Sequence, residues 1–250
     1  MDLHDHPLPH YTSRLLNVPH GMFTSAGGVS TGPCASLNLS LHVGDHKDNV
    51  RRNRDAATGA LGLSRLVSVH QVHGDRVLLV DAADTGEEQS GYDAMISSLP
   101  GTGLLIQQAD CQAILLEAPG GLAVAAAHCG WRGSVLNIIG TTIAALWTTC
   151  GAAPDALRAV ISPSLGPCCA EFVHYRTELP AWMHAYQVRP NHFDFWAISR
   201  RQLVEAGLRP EHIDTAGLCT RCNQQFFSYR RAAKTAGGVT GRNGSIIGLP

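Results

Sequence analysis

Three strong metal ligands, each beside a glycine or close to the end of an apolar run, are the residues of this sequence best suited to chemistry. They are His73, Cys111 and His128, in the segments QVHG, ADC and AHCGWRG. Two histidines and a cysteine form the kind of three-ligand set that catalytic zinc sites use, with a fourth position open to water or substrate. Isolated histidines and buried cysteines also have ordinary structural roles. The intervals between the three match no short metal motif, so an open metal site is a hypothesis that depends on the flanking sequence.

Composition limits the classes of protein to which this chain can belong. Its 250 residues are 44% hydrophobic and 16% charged, which is typical of a globular protein with a substantial core. The formal net charge of −1 creates no general attraction for nucleic acid or anionic membrane. We therefore expect neither as a partner, and an anionic substrate would have to be bound by a local group of arginines.

The N-terminal sequence and the cysteines bear on location. The segment MDLHDHPLPHYTSR lacks the basic and apolar regions of a signal peptide, and no apolar run is long enough to span a membrane. Without a secretion signal, the eight cysteines are expected to be reduced thiols, metal ligands or a nucleophile. We predict a cytoplasmic protein, and a monomer because no heptad pattern or long apolar edge is present.

The pattern of apolar runs predicts an α+β fold. Residues 1–13 are predicted to be a flexible leader and residues 14–250 a single catalytic domain. Helices are predicted over 47–61, 134–149 and most of 168–207; strands are predicted over 66–72, 77–80, 94–96, 104–107, 113–116, 122–127, 159–162, 226–229 and 246–249. Because strands come in runs instead of alternating with helices, we expect a layered α/β sandwich with a mixed β-sheet.

The wording around the ligands resembles a known family. The segments GGVS, SLNL, VGD, HQVHG, ADC, HCGWRG, GPCC, FFSYRR and TGR occur in this order from about residue 20 to residue 249. They resemble the laccase-domain family, which is labelled multicopper polyphenol oxidase and some of whose members are called peptidoglycan editing factors. The sequence departs from the common pattern at Cys129, where alanine is usual, and at Ser25, where arginine is common.

The resemblance implies a function and a set of ligands. It implies that Zn²⁺ is bound at His73, Cys111 and His128, with Cys111 and His128 also catalytic. The implied activity is that of a purine nucleoside phosphorylase acting with phosphate on adenosine, inosine, guanosine and methylthioadenosine, with additional deamination of adenosine. The fold it implies is similar to that of a bacterial toxin deamidase with a Cys–His pair.

Arginines are the candidates for binding phosphate, because the planar guanidinium matches phosphate oxygens. We expect Arg132 to be the main one and a catalytic residue, since it follows the His128 segment directly. Arg54, Arg230 and Arg242 are further substrate-binding candidates. Each has the alternative of a solvated salt bridge. Arg230 and Arg231 would face opposite ways in a strand, so at most one is expected to reach the site.

Other side chains near the ligands are candidates for contact with the nucleoside. Asn38 could bind the ribose or the base, or could close a local turn. Gln71 lies two residues from His73 and would share its strand face, which predicts that it lines the pocket. Trp131 could stack on a purine or belong to the core. Asp110, beside Cys111, is expected to support the site without acting directly.

Four further cysteines form two close pairs in the sequence, Cys168-Cys169 and Cys219-x-x-Cys222. A structural zinc site and a redox pair are both conceivable. Adjacent side chains diverge, which is unfavourable for two neighbouring ligands. We therefore expect these cysteines to be buried near the wall of the active site.

Three other functions fit part of the sequence. Copper is a less favoured cofactor than zinc, and a copper-dependent polyphenol oxidase is disfavoured because the one HxH pair is His4-Asp5-His6, in the predicted leader. A Cys–His amide hydrolase acting on a cell-wall precursor would use Cys111 as nucleophile and His128 as base. A non-catalytic metal-binding module is the last alternative.

Overall fold

The structure is a computed structural model that describes residues 1–84 and 88–250. In these residues the strands are β1 (Asp2–His4), β2 (His10–Thr12), β3 (His20–Phe23), β4 (Arg65–His70), β5 (Val77–Leu79), β6 (Gln89–Ser90), β7 (Ala94–Ser97), β8 (Thr102–Gln108), β9 (Gln112–Glu117), β10 (Val124–Cys129), β11 (Arg158–Ile161), β12 (Gln187–Arg189), β13 (His192–Phe193), β14 (Ile213–Thr215) and β15 (Asn243–Gly248). The α-helices are α1 (Lys47–Ala60), α2 (Trp131–Leu136), α3 (Ile138–Cys150), α4 (Tyr175–Glu178), α5 (Phe195–Glu205) and α6 (Tyr229–Thr235).

Two mixed sheets form the centre of the molecule. The first has the order β1-β2-β3-β15-β8-β4-β6, and the second has the order β14-β11-β9-β10-β7-β5. Each combines parallel and antiparallel pairs: β4 runs parallel to β8, whereas β15 is antiparallel to it. This architecture confirms the predicted α+β sandwich.

The alternation of side chains along β8 shows how the layers pack. Leu104 and Ile106 enter a core between the two sheets, where they meet Met95 and Leu115 of the second sheet. Leu105 points the other way, into a core that α1 covers. The outer face of the second sheet packs against α3 and α5. The layers are therefore helix, sheet, sheet, helix, and strands buried on both faces explain the long apolar runs.

Several predicted elements differ from the structure. The helix predicted over 134–149 is two helices, because Asn137 adopts a left-handed conformation (φ 60°) that ends α2 and caps α3 through its bond with the amide of Gly140. The strand predicted over 226–229 is wrong, since Ser228 caps α6 by accepting from the amide of Arg231. The segment 168–207, predicted mainly helical, contains the β12–β13 hairpin and short helices beside α5.

Residues 1–13, predicted to be a flexible leader, contain β1 and β2, which extend the first sheet beyond β3. Leu8 and His10 are buried, and the His10 ring packs against Phe23 with ring centres 5.1 Å apart. These contacts attach residues 1–13 to the first sheet, while their flexibility stays a prediction. Among the described residues, none of the helices is both long and apolar enough to cross a membrane.

Candidate metal centre

The three predicted ligands come together where the chain crosses from one sheet to the other. His73 follows β4 of the first sheet, and His128 lies in β10 of the second. Cys111 lies in the link that joins β8 of the first sheet to β9 of the second. Their ligand atoms all lie within 4.8 Å of one another, and Cys111 Sγ is 3.9 Å from His73 Nε2. The arrangement is compatible with one metal ion.

Asp93, a buried residue just before β7, fixes the positions of His73 and His128. Its fully buried carboxylate (0% exposed) accepts hydrogen bonds from the amides of Val72, His73 and Gly74, at 3.1, 2.9 and 2.7 Å. It also bonds His128 Nδ1 at 2.8 Å. The bond to Nδ1 leaves Nε2 of His128 as the ring nitrogen free for a metal, which is the usual role of a carboxylate behind a histidine ligand.

The charges in the centre shift the pKa values of two ligands. Burial raises the pKa of Cys111, but the charge of His128 and hydrogen bonds from His128 and His73 outweigh burial and lower it to about 6. Burial lowers the pKa of His128, but Cys111 and Asp93 outweigh burial and raise it to about 9. Between these two pKa values, near neutral pH, Cys111 is therefore a thiolate and His128 an imidazolium, and a bound cation would take the place of the imidazolium proton.

Gly130 has no side chain, and this absence makes room for Cys111 and His73. A Cβ at this position would lie 3.0 Å from Cys111 Sγ and 3.1 Å from His73 Cδ2. The donor set, its carboxylate support and this clearance all fit a metal with nitrogen and sulfur ligands. Cys129 is not a member of this group: it is buried beside Ser134, it lines the second, apolar cavity described below, and burial raises its pKa to about 11.

Two cavities meet at the metal centre. The first, of about 350 Å³, is lined by all three ligands, by Gln71, Gln107 and Arg242, and by His42 and His70, whose rings stack. The second, of about 190 Å³, is mostly apolar and is lined by Trp131, Leu165, Phe172, Phe195 and Arg230. Cys111 and Tyr229 line both, so a ligand could contact the centre from either side.

Two of the predicted arginines lie at these cavities. Arg242 lines the first and is largely buried, which lowers its pKa, while Cys111 opposes this effect. Among the described residues, its guanidinium bonds protein through Nη1, to the carbonyls of Thr240 and Gly241, leaving Nε and Nη2 for a ligand. Arg230 lines the second cavity, and its guanidinium donates to the carbonyl of Glu171.

The other two predicted arginines lie elsewhere. Arg132 is exposed in the first turn of α2, with its guanidinium 5.2 Å from the ring centre of Trp131, and it lines neither cavity. Although Arg132 is close to His128 in sequence, its side chain does not reach the cavity, because helix α2 begins at Trp131 and turns the chain. Arg54 points to a neighbouring cleft, where it bonds Glu88 at 2.7 Å, Ser68 and the carbonyl of Leu39.

Asn38 and Gln71 both have structural partners. Asn38 is fully buried; it donates to Ser40 and Asp45 and accepts from the amides of Ser40 and Arg242. It therefore supports the segment of Arg242, and the local-turn alternative describes it better than contact with a ribose. Gln71 lines the first cavity, as predicted, while its amide group forms two hydrogen bonds with the backbone of Gln107.

Asp110 fixes the link that carries Cys111. It has a left-handed conformation (φ 91°), and its carboxylate accepts from Thr220 Oγ1 at 2.7 Å and from the amide of Arg230 at 2.6 Å. These bonds agree with a supporting role. Asp110 itself lies in a bend between β8 and β9.

Sequence reasoning missed Asp93 and Tyr229. Asp93 had one available signal, an acidic residue immediately before the apolar run of β7. Tyr229 is the first residue of α6 and lines both cavities. It belongs to the aromatic segment FFSY, whose composition predicts a strand and gives no signal of a site residue.

The sequence and the fold of this chain are similar to those of known proteins. The sequence model of a family described as multi-copper polyphenol oxidoreductase laccase matches residues 19–250. The purine nucleoside phosphorylase YlmD of Geobacillus stearothermophilus is 34% identical, over 91% of this chain and 89% of that protein. The purine nucleoside phosphorylase of Deinococcus radiodurans is also 34% identical, over 97% and 94%. The crystal structure of the hypothetical protein YfiH of Bacillus licheniformis superposes with a TM-score of 0.88 at 30% identity, covering 99% of both chains.

Proposed function

Because this chain belongs to the family described as multi-copper polyphenol oxidoreductase laccase, we propose that it is a purine nucleoside phosphorylase that uses zinc and also deaminates adenosine. The relatives named purine nucleoside phosphorylase support the first activity. The single observation that carries the proposal is one cavity lined by His73, Cys111 and His128 together with Arg242. An arginine with free donors can hold the phosphate that attacks the nucleoside, and a metal ion beside it could polarise the substrate.

Zinc fits the donor set better than copper does. Two imidazoles and one thiolate with an open position match catalytic zinc, whereas multicopper oxidation needs several copper ions held by many histidines. Zn²⁺ bound here would supply a Lewis acid able to polarise a substrate oxygen or activate water near neutral pH. Asp93 holds His128 in the tautomer and orientation that such binding needs.

Arg242 is our candidate for the phosphate contact. In phosphorolysis a phosphate oxygen forms a bond to the anomeric carbon of the ribose while the bond from that carbon to the purine nitrogen breaks, giving free base and ribose 1-phosphate. The attacking phosphate must be held beside the ribose with its charge neutralised. Nε and Nη2 of Arg242 offer two donor groups for this at a partly buried position, where charge-assisted bonds are stronger than in bulk water.

The apolar cavity is our candidate for the purine ring. Trp131, Phe172 and Phe195 provide aromatic surface there, and Arg230 provides a polar edge. Tyr229 and Cys111 lie at the junction, so a nucleoside with its base in the apolar cavity would place its ribose near the metal centre and Arg242. In this proposal Trp131 would contact the purine, which is one of its two sequence-based alternatives; its ring also packs against the buried cluster that contains Phe193 and Phe195.

The test begins with purified, metal-quantified protein and adenosine or inosine, with and without phosphate, followed by chromatography of bases, nucleosides and ribose 1-phosphate. We expect phosphate-dependent release of base, loss of turnover on chelation and recovery with Zn²⁺ but not with Cu²⁺. Inosine formed from adenosine without phosphate would establish the deaminase. Base release that ignores phosphate would refute the phosphorylase.

Variants then test the named residues. His73→Ala should remove both metal and turnover. Arg242→Lys keeps the charge but loses the fork of donors, and should raise KM for phosphate about 10- to 100-fold, the equivalent of one charged hydrogen bond. The matched control is Arg51→Lys, at an exposed position of α1, which should leave KM unchanged. An unchanged KM in Arg242→Lys together with a raised KM in Arg132→Ala would restore Arg132 as the phosphate residue.

One observation favours a second candidate, the Cys–His amide hydrolase. Cys111, whose pKa is lowered, lies beside His128, whose pKa is raised and whose Nδ1 donates to Asp93. An activated cysteine nucleophile uses such a thiolate, a base and a group that orients the base. A metal on Cys111 excludes this activity. Rapid alkylation of Cys111 in protein that still holds its metal, without turnover of nucleosides, would favour the hydrolase and point to cell-wall precursors as substrates. The cytoplasmic location, the monomeric state and the lack of nucleic-acid or membrane partners stay predictions.

A further inference from the structure

A second group of cysteines lies outside the centre described above. Cys168, Cys169, Cys219 and Cys222 have their four sulfur atoms within 4.8 Å of one another. Cys222 Sγ is 3.4 Å from Cys169 Sγ and 3.6 Å from Cys168 Sγ. We propose that these four cysteines form a second, structural metal site that binds Zn²⁺ as a tetrathiolate. This proposal does not depend on the proposed phosphorylase activity.

The sulfur spacing is that of a metal site. Zinc–sulfur bonds of about 2.3 Å in a tetrahedron separate the sulfur atoms by about 3.8 Å. A disulfide would need two of them at about 2.05 Å. The distances around Cys222 lie close to the first value, and four thiolates with no open position make a closed, structural type of site.

Local backbone structure overcomes the divergence that was expected for adjacent cysteines. Residues 167–169 form a turn instead of a strand, closed by the bond from the amide of Cys169 to the carbonyl of Gly166 at 2.8 Å. Both sulfurs can therefore reach Cys222. The prediction that these cysteines are simply buried is wrong for Cys168 and Cys222, which are exposed.

The two loops are held in register by backbone hydrogen bonds that do not involve the cysteine sulfurs. Ser164 and Cys219 form a parallel bridge, with bonds from the amide of Ser164 to Leu218 and from the amide of Thr220 to Ser164. Gly166 permits this approach, because a Cβ there would lie 3.0 Å from Cys219 Cβ and 2.8 Å from the ring of Trp196. The site is thus formed by two loops whose backbones are already paired.

Cationic side chains surround the cluster. Arg221 Nη1 donates to Cys169 Sγ at 3.3 Å, and Arg189 Nη2 donates to the carbonyl of Cys168 at 2.7 Å. A zinc ion with four thiolates carries a net charge of −2, so nearby guanidinium groups stabilise it. N–H donors to ligating sulfurs are the outer support expected of a real metal site.

The position of the cluster gives it a role at the first centre. The loops that carry these cysteines also carry Leu165, whose amide donates to the carbonyl of Asp110, and Thr220, whose hydroxyl donates to the carboxylate of Asp110. Asp110 precedes Cys111. A metal that fastens the two loops together would therefore hold the link on which Cys111 is placed.

The decisive experiment counts metal in protein purified with reductant and without added zinc. We expect about two zinc ions per chain in the wild type, and about one in each of Cys222→Ser and His73→Ala. Cys150→Ser, on α3 and outside both groups, is the matched control and should keep both. X-ray absorption at the zinc edge of His73→Ala should give four sulfur neighbours at about 2.3 Å.

The spectrum of His73→Ala tests the site without altering any cysteine, so a misfolded Cys222→Ser cannot obscure the result. Zinc in His73→Ala with nitrogen or oxygen neighbours would overturn the proposal. So would wild-type protein with one zinc and four freely reactive thiols from these positions, or with a disulfide between Cys169 and Cys222 in freshly reduced and desalted protein. Phosphorolysis is not the readout, so failure here and failure of the proposed function remain distinguishable.

Discussion

Replacing Asp93 by asparagine should weaken both the fold and the metal centre. The carboxylate accepts four hydrogen bonds: Oδ1 accepts from the amide of His73 and from His128, and Oδ2 accepts from the amides of Val72 and Gly74. An asparagine offers one carbonyl oxygen and one NH₂ group. In either orientation the NH₂ group faces two donors, so two bonds to a buried negative charge are lost.

The magnitude follows from those two bonds. A hydrogen bond to a charged group contributes about 1.5–3 kcal/mol, so losing two costs about 3–6 kcal/mol. Relaxation of the exposed segment around His73 recovers part of this, and we expect Asp93→Asn to lower the free energy of unfolding by about 3 kcal/mol. Because the orientation of His128 is also loosened, zinc affinity should fall about 10- to 100-fold.

The assay is urea unfolding of the chelator-treated protein, so that metal binding does not contribute to stability, followed by competition with a zinc chelator of known affinity. Asp75→Asn is the matched control: it makes the same chemical change two residues from His73, at an exposed position. An Asp93→Asn protein within about 1 kcal/mol of this control, with unchanged zinc affinity, would refute the role assigned to Asp93.

Three further changes have expected outcomes. Gly130→Ala should reduce zinc affinity at least about 10-fold, since its Cβ would meet the sulfur of Cys111 at 3.0 Å; far-ultraviolet circular dichroism checks that the fold is kept, and unchanged affinity would contradict the clearance argument. Arg54→Ala should cost about 3–5 kcal/mol near neutral pH in urea unfolding, because it leaves the buried carboxylate of Glu88 without its cation. Burial raises the pKa of Glu88, but Arg54 and the hydrogen bonds to Glu88 outweigh burial and lower it. The ion pair therefore stabilises the fold above the unfolded-state pKa of Glu88, and this stabilisation is lost in acid. The free energy of unfolding lost in Arg54→Ala should shrink as pH falls below about 4, and a loss that does not change with pH would argue against the ion pair. Asn137→Ala should lower the free energy of unfolding, measured by thermal unfolding, by about 1–2 kcal/mol, because alanine disfavours the left-handed conformation and cannot cap α3. Asn137→Gly should lower it less, because glycine accepts that conformation.

The strands were the most predictable part of the fold. Runs such as Ala113–Leu116 and Leu104–Gln107 are apolar because both faces of these strands are buried, and the structure extends each by one to two residues at its ends. The break at Asn137 had no local signal strong enough to interrupt an apolar helix, and the FFSY segment has strand composition although Ser228 starts a helix. In both cases a capping side chain accepts a hydrogen bond from a backbone amide and sets a helix start that composition does not predict.

The grouping of the three candidate ligands was predictable from the sequence, and the residues around them were not. His73, Cys111 and His128 stand in distinctive sequence and lie together in the structure. Asp93 acts across the fold, through bonds to residues about twenty and thirty-five positions away, so no spacing announces it. Arg132 is the converse case, since proximity in sequence to His128 does not place its guanidinium at the cavity.

The short link between β8 and β9 limits how this chain can change in length. Ala109, Asp110 and Cys111 are the whole connection between the two sheets at this point, and one added residue would shift Cys111 by about 3.3 Å and turn its side chain to the opposite side. Insertions are far easier to accept at exposed turns such as Pro119–Gly121, at the opposite ends of β9 and β10. Length variation in this protein is therefore expected to be confined to the end of the sandwich away from the metal centre.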